Sequence, residues 1–356
     1  MTWTLHPATS LERFADAWDS VNDARGGVPF LRAGFICQLL KEFASGDELL
    51  AAYRDGSAPA AFAVLAPKGL GVWQTYQPSQ LPLGAWIARP GFDLGRRLAE
   101  LLRALPGIGT IIGFSQQDPF LEDRPTDDGH WQTLDYIETP WIEVSGSFET
   151  YWEARGKNLR THMRKQRAKL EAEGTPPRLE VLTASADVAQ GIADYGRLES
   201  AGWKATDGTA IHPDNAQGRF YRAMLEEYCR NGAGWIYRYR FGGKVVAVDL
   251  CVGSADTLVV LKTTYDESYK QLSPSSLLRE EVFRKIFAEG RIKRIEFYGR
   301  LMEWHTRWTD RMRMLYHANY HRWQFLSRLR RLAAGRRQPR TSHDVSAAAA
   351  PAARAE

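Results

Sequence analysis

The sequence predicts a mixed α/β (α+β) chain built as two lobes joined by a long basic helix. Three observations predict it. Residues 175–325 alternate strand-like and helix-like segments in the order β-α-α-β-β-β-α-β-α-β; residues 1–148 alternate in a similar but less regular way; and between them lies a helix rich in positive charge. At 356 residues the chain exceeds one ordinary compact domain. Its 44% hydrophobic and 25% charged residues suit a soluble, cored protein.

In the first lobe, Leu11, Phe14, Ala15 and Trp18 recur at helical spacing, so Ser10 is expected to cap a helix running to about Val21. Glu48 to Arg54 and Ala60 to Pro67 flank Asp55-Gly56-Ser57 and read as a hairpin. Leu94 to Leu105 reads as a helix, Gly109 to Phe114 as a buried strand, and Thr139 to Val144 as a closing strand. The connector, residues 149–174, holds its helix over 151–173, stopped by Gly174, Pro176 and Pro177. Seven basic residues and no acid lie between Arg155 and Lys169, and only Leu159, Met163 and Leu170 form an apolar stripe.

The second lobe is more legible. Strands are expected over Leu179 to Leu182, Trp235 to Phe241, Lys244 to Val252, Thr257 to Tyr265, Arg294 to Tyr298 and Met314 to Tyr320. Gly242-Gly243 marks a tight hairpin. Helices are expected over Asp187 to Ala201, Asp214 to Arg230, Ser273 to Ala288 and Leu301 to Asp310, the third opened by Ser273 as N-cap and Pro274 at the first helical position.

Several function classes fall away. The net charge of +5 is a property of the end of the chain, since residues 322–356 carry eight arginines against Asp344 and Glu356 and leave the body at −1. No apolar run approaches the ~20 residues of a membrane span, and the first residues lack a signal peptide's basic and apolar regions. Three scattered cysteines, Cys37, Cys229 and Cys251, form neither a disulfide framework nor a metal knuckle, which points to a reducing, cytoplasmic location. Residues 326–356 read as a basic, largely disordered tail, with Trp323 to Leu332 a short amphipathic helix capable of weak contact with an anionic membrane. His317 and His321 fall on a strand without the glutamate of a zinc motif, and Gly107-Ile108-Gly109 precedes a strand rather than a helix, so no metal and no dinucleotide site is expected.

Three further segments carry a family resemblance. LESAGWKATDGTAI (Leu198 to Ile211), TTYDESYKQLSPSSLLREEVF (Thr263 to Phe283) and EFYGRLMEWHTRWT (Glu296 to Thr309) follow one another as in the BioF2-like, or CelD-like, branch of the GNAT acyltransferases. The connector resembles the helix that precedes that domain, and the first lobe is similar in outline to the first lobe of the distantly related FemAB-type transferases. The chain departs from the GNAT pattern where a glycine-rich phosphate loop is usual: Gln271-Leu-Ser-Pro-Ser-Ser276 has no glycine. Relatives often carry Tyr-Lys where this chain has Trp304-His305.

The resemblance implies two GNAT-like lobes and transfer of an acyl group, acetyl in the simplest case, from acyl-CoA as co-substrate to a small-molecule or saccharide amine, with a place in cell-surface polysaccharide synthesis. The donor would lie against Lys262, Thr264 and Tyr265 on one strand. Its phosphates would meet Lys270, Gln271, Ser273, Ser275 and Ser276, where helix-terminal amides and dipole favour anions. Glu199, Trp203, Lys204, Asp249 and Trp304 would line the acceptor side. Glu296, as base, with Tyr298 and His305 would move protons; for Glu296 and Asp249 a structural ion pair or hydrogen bond is an equal alternative. Two rival readings remain open at this stage: a FemAB-like transferase drawing on aminoacyl-tRNA through Arg160, Arg164 and Arg167, and a GNAT-like scaffold without catalysis.

Overall fold

A computed structural model describes residues 2–201 and 211–324. Its first lobe comprises β1 (Trp3–Pro7), a 3-10 segment (Ala8–Phe14), α1 (Ala15–Ala24), α2 (Ala33–Phe43), β2 (Leu49–Asp55), β3 (Ala58–Gly69), β4 (Val72–Thr75), β5 (Trp86–Ala88), α3 (Leu94–Ala104), β6 (Ile111–Gln117) and β7 (Trp131–Glu143). After α4 (Phe148–Glu153) and α5 (Lys157–Ala172) come β8 (Pro177–Leu182), α6 (Val188–Ala201), α7 (Ala216–Arg230), β9 (Gly234–Phe241), β10 (Lys244–Gly253), β11 (Thr257–Tyr265), α8 (Pro274–Glu289), β12 (Arg294–Glu296), α9 (Glu303–Thr306) and β13 (Met312–His321).

The strands form one sheet in the order β1-β2-β3-β4-β6-β13-β7-β12-β11-β10-β9-β8, with β5 added to β3. All neighbours are antiparallel except β4 with β6 and β11 with β12. The order of directions therefore reads the same from either end, with a pseudo-twofold axis between β13 and β7. Each lobe thus contributes its last strand to the middle: β13, from the end of the chain, pairs with β6 of the first lobe, and β7 pairs with β12 of the second. The two lobes are repeats of one mixed-sheet unit, locked by strand exchange.

Three cores follow from this layout. On one face α1, α2, α6 and α7 bury Trp18, Phe35, Phe220 and Tyr228 in a single cluster shared by both lobes, with Phe35 edge-on to Phe220 at 5.3 Å. On the other face α3 covers the first lobe through Leu98, Leu101 and Leu102. There α4, α5 and α8 cover the second lobe, and Leu159, Met163 and Leu170 are the buried stripe of the basic helix.

Several boundaries differ from expectation for identifiable reasons. Ser10 caps nothing: its hydroxyl donates to Pro7 O inside the 3-10 segment, and the α-helix begins only at Ala15. The single connector helix expected over 151–173 is two, because Ser147 caps α4 earlier and Gly156 breaks the path with extended backbone before α5. The strand expected to reach Tyr298 stops at Glu296, since Tyr298 turns to φ +51°. The helix expected over Leu301 to Asp310 is the single turn of α9. The tail from residue 325 lies outside the described residues.

Because β13 fills the centre of the sheet, a chain ending at Asp310 exposes the edges of β6 and β7 together. Such a truncation is expected to abolish cooperative melting of both lobes; a soluble monomer with a cooperative transition would contradict the strand exchange.

Candidate functional site

A cleft of about 2080 Å³ opens between the lobes. That is well beyond the ~300–1,000 Å³ of a single small-ligand site, and leaves room for two substrates. The second half of β11, from Leu261 to Tyr265, and the segment that follows β12, from Phe297, form its floor. β11 and β12 pair in parallel for only three positions, Thr257 with Arg294, Leu258 with Ile295 and Val259 with Glu296. Beyond Val259, β11 continues to Tyr265 through an irregularity at Leu261, while the other strand turns away at Tyr298. The backbone groups on the facing edges are thereby parted over the stretch that lines the cleft. The first residues of α8, Ser273 to Ser276, open onto the same space.

The opposite wall comes from the first lobe, through Gln77 to Pro82, Gln116, Tyr136 and Ile137, and from the near side of α5. The equivalent parting in the first lobe, beyond Gln74 and Gly113, is closed by its own chain: Gly84 N–H donates to Ser115 O at 2.9 Å and Ser115 N–H to Thr75 Oγ1 at 3.0 Å. A Cβ at Gly84 would sit within 2.2 Å of Thr75 Oγ1, so only glycine allows this closure. Neither β4 nor α3 lines the cleft.

Most of the residues expected to bind substrates meet here: Lys262, Thr264 and Tyr265 from β11, Lys270, Gln271, Ser273, Ser275 and Ser276 around the start of α8, and Glu199, Tyr298 and Trp304. Trp203 and Lys204 lie outside the described residues. Ser273 occupies the N-cap position with left-handed backbone (φ +52°), and its hydroxyl bonds His162 Nε2 at 3.0 Å instead of capping the helix. Here a serine takes the conformation that favours glycine elsewhere, steadied by a side chain from α5. The Ser275 hydroxyl is buried without a partner. Glu199 is 5% exposed and accepts the Ile211 N–H at 2.8 Å.

Three expected roles are corrected. Glu296 stands behind the cleft wall: Arg313 Nη1 donates to its Oε2 at 2.9 Å, while Arg313 also grips Asp118 through Nε and Nη2 at 2.7 and 2.5 Å. Tyr298 donates its phenol proton to Asp118 Oδ2 at 3.0 Å. Glu296 is therefore one carboxylate of a buried cluster that joins the first lobe, β12 and β13, and not a group facing an acceptor. His305 is 3% exposed; its Nδ1 accepts the Met302 N–H at 2.9 Å and its ring stacks on Trp304. Burial and the nearby Arg279 charge lower its pKa to about 3, so it stays neutral and cannot relay protons near pH 7. Asp249 lies under the floor, across from Thr263 in the β10–β11 pairing, with burial raising its pKa.

The arginines of α5 also separate. Arg167 turns to Glu280 and Glu281 of α8, away from the cleft, and Arg160 bonds Arg155 O. The side of the helix that lines the cleft carries Asn158, Leu159, His162 and Met163, with Arg155 just before it. Sequence reasoning missed Arg279 and the Asp118–Arg313 pair. Arg279 was accessible in principle, one helical turn beyond Ser275 on the same face; Asp118 and Arg313 are 195 positions apart and carry no local signal.

Residues 157–304 match the family model of the acetyltransferase (GNAT) domain. This stretch is a GNAT domain. It spans α5 to the first turn of α9 and so contains β11, β12 and the start of α8. Solved structures share the fold of nearly the whole chain. The C-terminal domain (DUF2156) of a protein described as a lysylphosphatidylglycerol synthetase, from Agrobacterium fabrum, has a TM-score of 0.56 at 14% identity over 90% of this chain and 96% of that one. L-PGS from Bacillus licheniformis gives 0.51 at 13% over 86% and 91%. FemX gives 0.55 at 9% over 92% and 99%. At such identities the likeness is one of fold. No match to a curated protein sequence was found. The GNAT domain and its partner lobe share one continuous sheet. Among the described residues there is no metal-binding group and no helix long and apolar enough to cross a membrane.

In the Asp118–Glu296–Arg313 cluster two carboxylates share the Arg313 guanidinium, and Arg294 lies 3.7 Å from the other Glu296 oxygen. Burial, against the pull of Arg313, raises Glu296 to a pKa of about 7. The folded state then holds a proton that the unfolded chain releases near the ordinary carboxylate value of 4.5. This contribution is present below that value and is lost as pH rises to about 7. Glu296→Gln keeps an acceptor for Arg313 and removes the need to bury a charge there. It is expected to raise stability at pH 8 by roughly 1–3 kcal/mol and to have little effect at pH 4.5. Chemical denaturation at both pH values checks this; a variant less stable at pH 8 would contradict it.

Proposed function

We propose that the interlobe cleft transfers an acyl group from acyl-CoA to an amine. The observation that carries this reading is the parting of β11 and β12 beside the start of α8. Parted parallel strands offer unpaired backbone groups to an amide-rich arm, and a helix start favours the phosphates at its other end. The buried, unpartnered Ser275 hydroxyl is a further donor at that point.

The amine nitrogen would attack the thioester carbonyl, the C–S bond would break and the thiolate would leave with CoA. Glu199, the buried one among the carboxylates that line the cleft, would take the proton released by the amine. Tyr298, held protonated by burial beside Asp118, helps shape the turn where the strands part. Holding the two substrates together contributes more than any proton transfer in such a reaction. A saccharide amine remains within the acceptor class, since the cleft is large and bordered by both polar and aromatic side chains.

A second reading is favoured by one observation: the start of α8 lacks the glycines of the usual phosphate loop. In that reading the donor is an aminoacyl-tRNA, held by Arg155, Arg160 and Arg164, because Arg167 is already paired.

Calorimetry separates the two. Acetyl-CoA is expected to bind the full chain, and Thr264→Trp, which fills the gap, is expected to weaken that binding at least about tenfold, ~1.4 kcal/mol, with the melting temperature retained. If acetyl-CoA and longer acyl-CoAs all fail to bind while tRNA binds with a steep salt dependence that Arg160→Gln with Arg164→Gln reduces, the second reading replaces the first. Failure of both donors would leave a scaffold.

A further inference from the structure

Two arginines in this protein are buried to the same degree and treated differently. Arg313 is 7% exposed and spends Nε, Nη1 and Nη2 on two carboxylates. Arg279 is 5% exposed and makes one hydrogen bond, from Nη2 to Thr263 Oγ1 at 3.0 Å. Its Nε is buried with no partner; the buried Asp249, which bonds the same Thr263, acts on its charge from beneath the floor without forming a direct ion pair among the described residues. Its guanidinium lies over the Trp304 ring, 4.0 Å from the centroid. It lines the cleft floor, on the face of α8 that carries Ser275 one turn earlier.

A guanidinium has five N–H donors. Taking it out of water and leaving most of them unused is costly unless a ligand repays the loss. Stacking on Trp304 fixes the plane of the fork and leaves its edge for an acceptor. We propose that Arg279 anchors a carboxylate carried by one of the two substrates at the floor of the cleft. A carboxylate suits the site better than a phosphate on two grounds. The planar fork matches a planar anion bidentately. With the buried Asp249 already acting on this guanidinium, a monoanion also meets less repulsion at the floor than a dianion would. The phosphates of a donor have their own place a turn away, at the start of α8.

The inference rests on the acyl-transfer reading only for which substrate bears the group. The carboxylate belongs either to the acyl chain of the donor, as in a dicarboxylic acyl group, or to an acceptor that is an amino acid.

The test uses the full chain without donor. Succinate and succinamide stand for the acyl end, glycine and glycinamide for the acceptor, each titrated calorimetrically into wild type, Arg279→Met and Arg279→Lys. Methionine keeps length and apolar packing over Trp304, and lysine keeps the charge without the fork. At least one acid is expected to bind about tenfold or more tightly than its amide, and the acid that does so identifies the substrate. Arg279→Met is expected to erase that preference and Arg279→Lys to retain part of it. No preference in wild type, or an unchanged preference in Arg279→Met, overturns the proposal. A parallel acetyl-CoA titration reports on the acyl-transfer reading separately: loss of CoA binding with the carboxylate preference intact would sink that reading and leave Arg279 as an anchor.

Discussion

The exchange of β7 and β13 at the centre of the sheet is the constraint on which the rest of the molecule depends. Twelve strands in one continuous path place the two lobes edge to edge, and the antiparallel β7–β13 pair is common to both. Arg313, on β13, reaches Asp118 of the first lobe and Glu296 of the second from this central position. Breaking a buried pair of this kind by removing one partner typically costs ~3–5 kcal/mol. Backbone pairing and charge pairing thus fix the same junction, and the cleft lies beside it.

The pseudo-twofold order gives each lobe a pair of parallel strands, yet the two pairs meet different fates. In the first lobe Gly84 lets the chain cross back and close the gap with its own amides. In the second lobe Tyr298 turns away at positive φ, tied to Asp118 and edge-on to Phe30, and the gap stays parted. One repeat has become a wall and the other a floor. The asymmetry follows from a few residues at the ends of β4, β6 and β12 rather than from any difference in topology.

Local chemistry was legible in the sequence. The Gly242 turn between β9 and β10, the apolar run of β11, the proline at the start of α8 and the three-residue stripe of α5 all declare themselves within a dozen positions. The cleft-lining face of the second lobe followed from the order of elements and from the resemblance around Thr263 to Phe283. What stayed hidden depends on distant pairing. β1 is too short to assert itself against the segment that follows, and the first half of β7 looks polar because it is paired centrally but partly exposed. Glu296 and His305 looked like acid–base groups because their partners, Arg313 and the Met302 amide, became visible only in the fold. The serine-rich start of α8 is the clearest case of chemistry displaced from its usual residues, with left-handed Ser273 held by His162 in a place where glycine is common.

The account stands on the gap between β11 and β12 as the seat of the donor. Hydrogen–deuterium exchange of the full chain with and without acetyl-CoA tests it most directly. Slowed exchange concentrated in residues 262–276 and 297–300 is the predicted result. Unchanged exchange there, or protection confined to the first lobe, would contradict it.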